Sequence, residues 1–220
     1  MMNFGDEVKI EGLFSSPVMA EPWNVAARFN PILRDAIVDR QKQNAGVTKS
    51  NLLGWQSDLE MLRWGGEAAR VLASHIVERC ENLTVDRRGE GLLRWYPEMW
   101  ANVSRAGASN QTHAHPGAYW SAVYYVDDGY QGSADKRLGG ELVFVDPRFP
   151  MVRMRTPDLR PLGTDGEPQH HEVWFRPRTG MLVMFPSWLQ HSVRPYLGSG
   201  TRISIAVNVS LTRLAVLRDG

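Results

Sequence analysis

The sequence predicts a mainly β protein with flanking helices, in which short strands close into a jelly-roll or cupin-like barrel. Helical patterns are confined to about the first 90 residues. Short segments rich in Val, Ile, Tyr, Phe and Trp follow them, separated by Gly and Pro. No long helical segment separates these strands, which argues against a parallel sheet. We expect a single domain over residues 1–220, with a largely helical part (1–90) packed on the outer face of a β barrel (91–212).

The composition of the chain excludes several classes of protein. Its 43% hydrophobic and 22% charged residues are typical of a globular chain. The net charge of +1 lacks the basic excess of a nucleic-acid binder, so we expect no nucleic-acid partner. A single cysteine, Cys80, excludes an internal disulfide and is expected to be buried. We find no apolar run of about 18 residues and no signal-peptide pattern at residues 1–10, which predicts a soluble, cytoplasmic protein with no membrane partner.

Helix signals recur three times before residue 90. Residues 30–46 begin with Asn-Pro, which is typical of an N-cap followed by proline at the first helical position, and they end at a glycine. Residues 57–60 read Ser-Asp-Leu-Glu, which fits a capping box. After glycines at 65–66, apolar residues spaced by three and four predict an amphipathic helix to about residue 81. These apolar residues are Ala69, Leu72, Ile76 and Cys80.

Strand signals dominate the remainder of the chain. The predicted strands are residues 92–96, 99–103, 119–126, 141–145, 172–175, 181–185, 190–193 and 202–210. The connection at residues 147–169 contains five prolines and exceeds the roughly 12–15 residues beyond which unstructured loops are uncommon. We predict that it is either a lid over a pocket or a surface insertion.

Three histidines have positions that favour a metal site. The spacing of His113 and His115 puts both imidazoles on one side of an extended chain. His191 lies at the predicted strand 190–193. Imidazole is a good ligand for iron, zinc, copper and nickel. Because sheets also carry such histidine pairs by chance, the metal-site prediction depends on what accompanies the three residues.

The last predicted strand supports the metal-site prediction. Residues 197–200 read Leu-Gly-Ser-Gly and predict a hairpin that brings this strand back alongside the strand of His191. Alternation then places Arg202 and every second residue to Asn208 on one face, and Ile and Val on the other. A buried arginine costs several kcal/mol unless it meets an anion. If the Arg202 face points into the barrel, it predicts a carboxylate-bearing small molecule near the metal; an outward face would leave the arginine solvated.

These residues resemble the motifs of the Fe(II)- and 2-oxoglutarate-dependent oxygenases. That family has a His-x-Asp/Glu pair, a distal histidine and a basic residue about ten positions later, often as Arg-x-Ser. The segments 112–117 (THAHPG), 121–126 (SAVYYV) and 185–191 (FPSWLQH) resemble a His-x-His-Pro branch of it, within residues 95–210. The resemblance implies a double-stranded β-helix, with Fe(II) as cofactor and 2-oxoglutarate as co-substrate. The implied reaction is oxidation, usually hydroxylation, of a small-molecule or peptide substrate, with release of succinate and CO2.

The resemblance also implies roles for individual residues. His113 would be the first metal ligand and His191 the distal ligand. Arg202, helped by Ser204, would hold the far carboxylate of 2-oxoglutarate. Tyr125 resembles a tyrosine that hydrogen-bonds the same carboxylate.

Three other expectations come from the same region. Tyr124 would point away from Tyr125, and Asn102 is a candidate for the pocket wall. His115 stands where the family has a carboxylate, and its spacing from His113 makes it the expected third ligand. Other carboxylates nearby in sequence are Asp127, Asp128 and Glu141.

Two alternatives remain open on the sequence. The first is a cupin-type three-histidine metalloprotein, a dioxygenase or isomerase that would not need Arg202. Tyr119 and Trp120 stand where a cupin has its glutamate. The second is a non-catalytic β-sandwich protein that binds metal through the same histidines. A homodimer is compatible with each of these readings.

Overall fold

The structure is a computed structural model that describes residues 14–87, 92–149 and 158–214. In chain order its elements are β1 (Met19–Pro22), α1 (Ala26–Gln43), β2 (Asn51–Leu52), β3 (Trp55–Gln56), α2 (Met61–Trp64), α3 (Gly66–Asn82), β4 (Leu92–Ser104), β5 (Ser109–His113), β6 (Trp120–Asp127), a 3-10 turn (Lys136–Leu138), β7 (Leu142–Val145), β8 (Glu172–Phe175), β9 (Met181–Pro186), β10 (His191–Val193) and β11 (Arg202–Leu214).

The strands form two antiparallel sheets. One sheet has six strands in the order β1-β9-β6-β11-β4-β3, and the other has five in the order β2-β5-β10-β7-β8. Every predicted strand overlaps an observed one, so the mainly β class is confirmed. The predicted strands 92–96 and 99–103 are one strand, β4. Pro97 is accommodated within it because β3 pairs with β4 only at Asn102 and Val103, which leaves one edge of β4 without a strand partner at Pro97.

Helices α1 and α3 cover the outer face of the six-stranded sheet, as predicted. Their buried side chains, including Leu33 and Ile76, share one apolar cluster with Ile203 and Ile205 of β11. Cys80 on α3 is also fully buried there. A second cluster lies between the two sheets and includes Tyr125, Leu142, Phe144, Val183, Phe185 and Leu189.

The predicted boundaries of the first helix were wrong. Helix α1 begins at Ala26, so Pro31 lies inside it, and it ends at Gln43 instead of continuing to Gly46. The Asn30 amide does not cap the helix, because it donates to Val126 O of β6 at 3.1 Å and accepts from the Tyr124 hydroxyl. The Asn-Pro pair predicted that Asn30 would cap the helix, but its side chain contacts β6 instead.

The predicted capping box at residues 57–60 was also wrong. Ser57 is fully buried, where its hydroxyl accepts the Ala101 N–H at 3.0 Å and donates to Asp58 O at 2.7 Å. Helix α2 starts only at Met61 and has no side-chain cap. Ser57 thus belongs to the β3–β4 edge and not to a helix start.

The predicted hairpin between His191 and Arg202 was wrong in a way that matters for the site. Strand β10 pairs with β5 and β7, whereas β11 pairs with β4 and β6 in the other sheet. The connection is anchored by the fully buried Tyr196, whose hydroxyl donates to Gly129 O at 2.6 Å and whose N–H donates to Ala108 O at 2.9 Å. The chain therefore crosses from one sheet to the other between His191 and Arg202.

The long proline-rich connection is described only at its two ends, because residues 150–157 lie outside the described residues. The described ends contribute Arg148, Arg160, Pro161 and Gln169 to a small separate cavity of about 110 Å³. The lid prediction therefore stays a prediction. Across the described ranges, no helix has the length and apolar character needed to cross a bilayer.

Candidate active site

A cavity of about 540 Å³ lies between the two sheets, and both sheets contribute side chains to it. One wall comes from three neighbouring strands. The register places Ser204 of β11 beside Asn102 of β4 on one side and Tyr125 of β6 on the other. Because side chains alternate along β11, Arg202, Ser204, Ala206 and Asn208 all line the cavity. Of the two orientations that the sequence left open, the structure therefore has this face pointing inward.

The three predicted histidines converge on the opposite wall. His113 ends β5, His191 begins β10, and these two residues are paired directly across the sheet. His115 follows β5 by two residues. Their ring centroids are 4.4 to 5.1 Å apart, and one ligand nitrogen from each lies within 4.8 Å of the others. Such a cluster fits a single transition-metal ion.

Hydrogen bonds select the nitrogen atom that two of these rings present. His113 Nδ1 lies 2.7 Å from Gln111 O, and His191 Nδ1 lies 2.9 Å from Leu189 O. A carbonyl oxygen only accepts, so each Nδ1 carries the proton and each Nε2 keeps its lone pair. This tautomer is the one that a metal ligand needs.

The environment keeps His115 and His191 neutral. Burial, with a smaller contribution from the neighbouring imidazoles, lowers the pKa of His191 to about 3 and that of His115 to about 4. The ring of Phe185 lies 4.7 Å from that of His191, and the ring of Trp100 lies 5.9 Å from that of His115. At neutral pH, His115 and His191 are therefore uncharged imidazole donors, and each packs against an apolar ring.

The carboxylates that lie near the histidines in sequence are outside the histidine cluster and have other partners. Asp127 pairs with Arg34, and Asp128 accepts N–H groups from Tyr130 and Thr179. Glu141 is buried between Arg176 and Arg194, at 3.7 and 3.5 Å. Among the described residues, the histidine cluster contains no carboxylate.

Arg202 and Tyr125 form a polar end of the cavity, where two buried polar atoms lack hydrogen-bond partners among the described residues. Arg202 is 2% exposed, and its guanidinium carbon lies 5.3 Å from the centre of the Tyr125 ring. Neither Arg202 Nε nor the Tyr125 hydroxyl has a hydrogen-bond partner among the described residues. Burial raises the pKa of Tyr125, and the nearby guanidinium opposes this. A buried cation beside a neutral hydroxyl donor fits a carboxylate ligand.

The other predicted positions also have definite places. Ser204 is buried and Asn102 half-buried, and both line the cavity beside Tyr125. Tyr124 points the other way, into the helix-covered core, where it packs edge-on against Trp23. His75, outside the cluster, lies 2.9 Å from Glu21 and has a structural contact.

Several cavity residues were not predicted from the sequence as parts of the site. Trp100, Ser121 and Phe185 face it from strands that the sequence did predict, but their side chains resemble ordinary strand residues. The segment 47–59 closes one side, with Lys49 and Leu59 among its lining residues. It connects through β2 to one sheet and through β3 to the other, and strands of two residues leave no periodic signal.

Comparison with known proteins identifies the family. Residues 98–208, about half of the chain, match a family model described as "Putative 2OG-Fe(II) oxygenase". The chain belongs to this family of 2OG-Fe(II) oxygenases. No curated protein sequence matches it significantly. The predicted family and enzyme class are therefore confirmed, and the match includes the three histidines and Arg202.

Solved structures of oxygenases share the fold. A prolyl hydroxylase from Trichoplax adhaerens, in complex with a hypoxia inducible factor peptide fragment, has a TM-score of 0.62 over 90% of this chain and 85% of that chain, at 13% identity. A prolyl-4-hydroxylase from Pseudomonas putida has a TM-score of 0.56, covering 90% and 94%, at 15% identity. HygX from Streptomyces hygroscopicus, with nickel, 2-oxoglutarate and hygromycin B bound, has a TM-score of 0.58, covering 92% and 86%, at 14% identity. The double-stranded β-helix is thereby confirmed.

Proposed function

We propose that this oxygenase holds Fe(II) through His113, His115 and His191 and 2-oxoglutarate through Arg202. The observation that carries the proposal is a pair of buried groups, Arg202 Nε and the Tyr125 hydroxyl, that have no hydrogen-bond partner in the described part of the chain and share a cavity with three converging imidazoles. A dicarboxylic keto acid suits both ends, because one carboxylate can meet the guanidinium while the other end binds the metal.

Each group of residues has its own part in this proposal. When bound, iron and 2-oxoglutarate supply O2 activation and the oxidation of a substrate C–H bond, with succinate and CO2 as products. The three imidazoles are neutral donors, so they leave the full charge of the metal to attract an anionic co-substrate. Arg202 orients the far carboxylate, and Tyr125 donates a hydrogen bond to it. Trp100 and Phe185 pack on the histidine rings and exclude water.

The opposite end of the cavity is where we place a small-molecule or peptide substrate. Glu98, Ser121 and Asn208 are paired across β4, β11 and β6 and line the cavity there. Asn208 is six residues from Arg202, or roughly 20 Å along the strand. Substrate and co-substrate would thus approach the histidines from opposite ends. The expected cytoplasmic location and homodimer remain predictions.

The test is an anaerobic titration of the Fe(II)-loaded protein with 2-oxoglutarate, followed by the visible charge-transfer band of a chelated keto acid. The band is expected with the wild-type protein and with His170→Ala, a control histidine in the separate small cavity. It is expected to be lost with His191→Ala. Bound iron without the band would favour the three-histidine cupin reading, and no iron uptake at all would favour a non-catalytic protein.

A further inference from the structure

A chain of hydrogen-bonded polar groups, formed by two buried serines and the half-buried Asn208, lies at the end of the cavity away from Arg202. The hydroxyls of Ser121 and Ser187 are 3.0 Å apart, and Ser121 Oγ donates to Asn208 Oδ1 at 3.0 Å. The two serines are 2% and 1% exposed. Because Ser121 gives its only proton to Asn208, Ser187 donates to Ser121, and the direction of the chain is fixed.

Ser187 holds the loop between β5 and β6 at two points and contacts β6 itself at a third. Its carbonyl accepts the N–H of His115 at 2.9 Å, its own N–H donates to Tyr119 O at 3.1 Å, and its hydroxyl reaches Ser121. His115 lies beyond the last residue of β5, so no strand pairing fixes its backbone. The position of His115 therefore depends on the contacts of this loop with Ser187.

Ser187 also lies in the turn that leads to His191. Leu189 N–H donates to Pro186 O at 2.9 Å across this turn, and Leu189 O is the partner of His191 Nδ1 at 2.9 Å. The turn thus sets both the backbone and the ring orientation of His191. Ser187 belongs to this turn and contacts the loop of His115, so it joins the two segments.

Building on the proposed metal site, we propose that Ser187 and Ser121 are positioning residues for His115 and His191. The main-chain bonds of Ser187 join the two histidine segments to each other, and its hydroxyl ties them to the six-stranded sheet through Ser121 and Asn208. Buried hydroxyls need partners to offset their desolvation. An apolar pair would pack here without that need, so the chain of hydroxyls has a role in fixing geometry.

The test uses Co(II), whose visible d–d absorption reports the geometry of its ligands. Ser121→Ala and Ser187→Ala are each expected to weaken Co(II) affinity about tenfold, the lower end of the range for groups that support metal ligands from behind. Both are expected to change the shape of the d–d band. The double variant is expected to bind Co(II) no more weakly than either single variant, because the loss of one hydroxyl already interrupts the hydrogen-bonded chain.

Ser57→Ala is the matched control. Ser57 is a fully buried serine with two hydrogen bonds, to Asp58 O and from Ala101 N–H, and neither bond involves the histidine segments. Its substitution removes a hydroxyl of the same burial. It is expected to lower folding stability while leaving Co(II) affinity and the d–d band unchanged.

The outcomes separate the inference from the proposed function. Wild-type affinity and an unchanged band in both Ser121→Ala and Ser187→Ala would refute the positioning role and leave the metal site intact. An equal loss in Ser57→Ala would also refute it, because the effect would then be one of general stability. Co(II) binding that His191→Ala does not reduce would overturn the proposed metal site, and the positioning role with it.

Discussion

Replacement of Arg202 by methionine is expected to change folding stability and ligand affinity in opposite directions. Arg202 is 2% exposed and its Nε has no hydrogen-bond partner among the described residues. A buried charge without a partner costs several kcal/mol, and methionine has a similar length without the charge. The free energy of unfolding of the ligand-free variant is therefore expected to stay unchanged or to rise by about 1 kcal/mol.

The same substitution removes the partner of the co-substrate carboxylate. Truncating one member of a buried charge pair costs about 3 kcal/mol, which corresponds to a rise in the Kd for 2-oxoglutarate of roughly 150-fold. Anaerobic titration with Fe(II) gives the Kd, and urea denaturation of the ligand-free protein gives the stability.

Arg176→Met is the control for this prediction. Arg176 is partly buried, stacks on the Tyr130 ring at 3.9 Å and donates to Ser133 O and Asp135 O. Its loss is expected to lower the free energy of unfolding by about 1–3 kcal/mol and to leave 2-oxoglutarate affinity unchanged. If Arg202→Met instead lost stability and kept its affinity, Arg202 would be a structural residue and the reasoning would be refuted.

Three further predictions concern single side chains. Tyr125→Phe removes a hydroxyl that has no hydrogen-bond partner within the described ranges, and it is expected to weaken 2-oxoglutarate binding about fivefold at unchanged stability, measured by the same titration. Tyr124→Phe removes the donor to Asn30 and is expected to lower the free energy of unfolding by about 1 kcal/mol at unchanged affinity. Urea denaturation checks this, and the reverse pattern in the two variants would contradict their assigned faces. Burial raises the pKa of Cys80 to about 12, so at about pH 8 the thiol is expected to react with a disulfide reagent only after denaturant is added. Prompt reaction of the folded protein would show that α3 opens readily.

Alternation along β11 was readable from the sequence because its two faces differ so strongly in polarity. Ile203 and Ile205 pack under the helices, whereas Arg202 and Ser204 face the cavity. A period of two residues needs no knowledge of neighbouring strands. The division of this strand into a polar face and an apolar face could therefore be predicted from local pattern alone.

The path from His191 to Arg202 could not be read in the same way. A Leu-Gly-Ser-Gly segment has the composition of a hairpin turn, but tertiary contacts decide which sheet the next strand joins. Here the buried side chain of Tyr196 anchors the connection, and its partner Gly129 is distant in sequence. The three histidines and Arg202 were predicted to share a site, and they do so across two sheets instead of along one.

The polar strand β5 and the hydroxyl chain left no local signal. Residues 109–113 read Ser-Asn-Gln-Thr-His, a composition typical of a loop, and they pair because β2 and β10 flank them. Ser121 and Ser187 are distant in sequence and each looks like an ordinary surface residue. Their proposed positioning role could be inferred only from their burial and their mutual contact.

The long pairing of β4 with β11 determines which side chains of β11 face the cavity. The two strands are matched over thirteen residues, and every second side chain of β11 from Ile203 to Leu211 packs in or against the helix-covered core. A slip of one residue would turn Arg202 and Ser204 toward the helices and bring Ile203 and Ile205 into the cavity. Correct alignment of β4 with β11 is therefore a condition for the proposed binding of 2-oxoglutarate by Arg202.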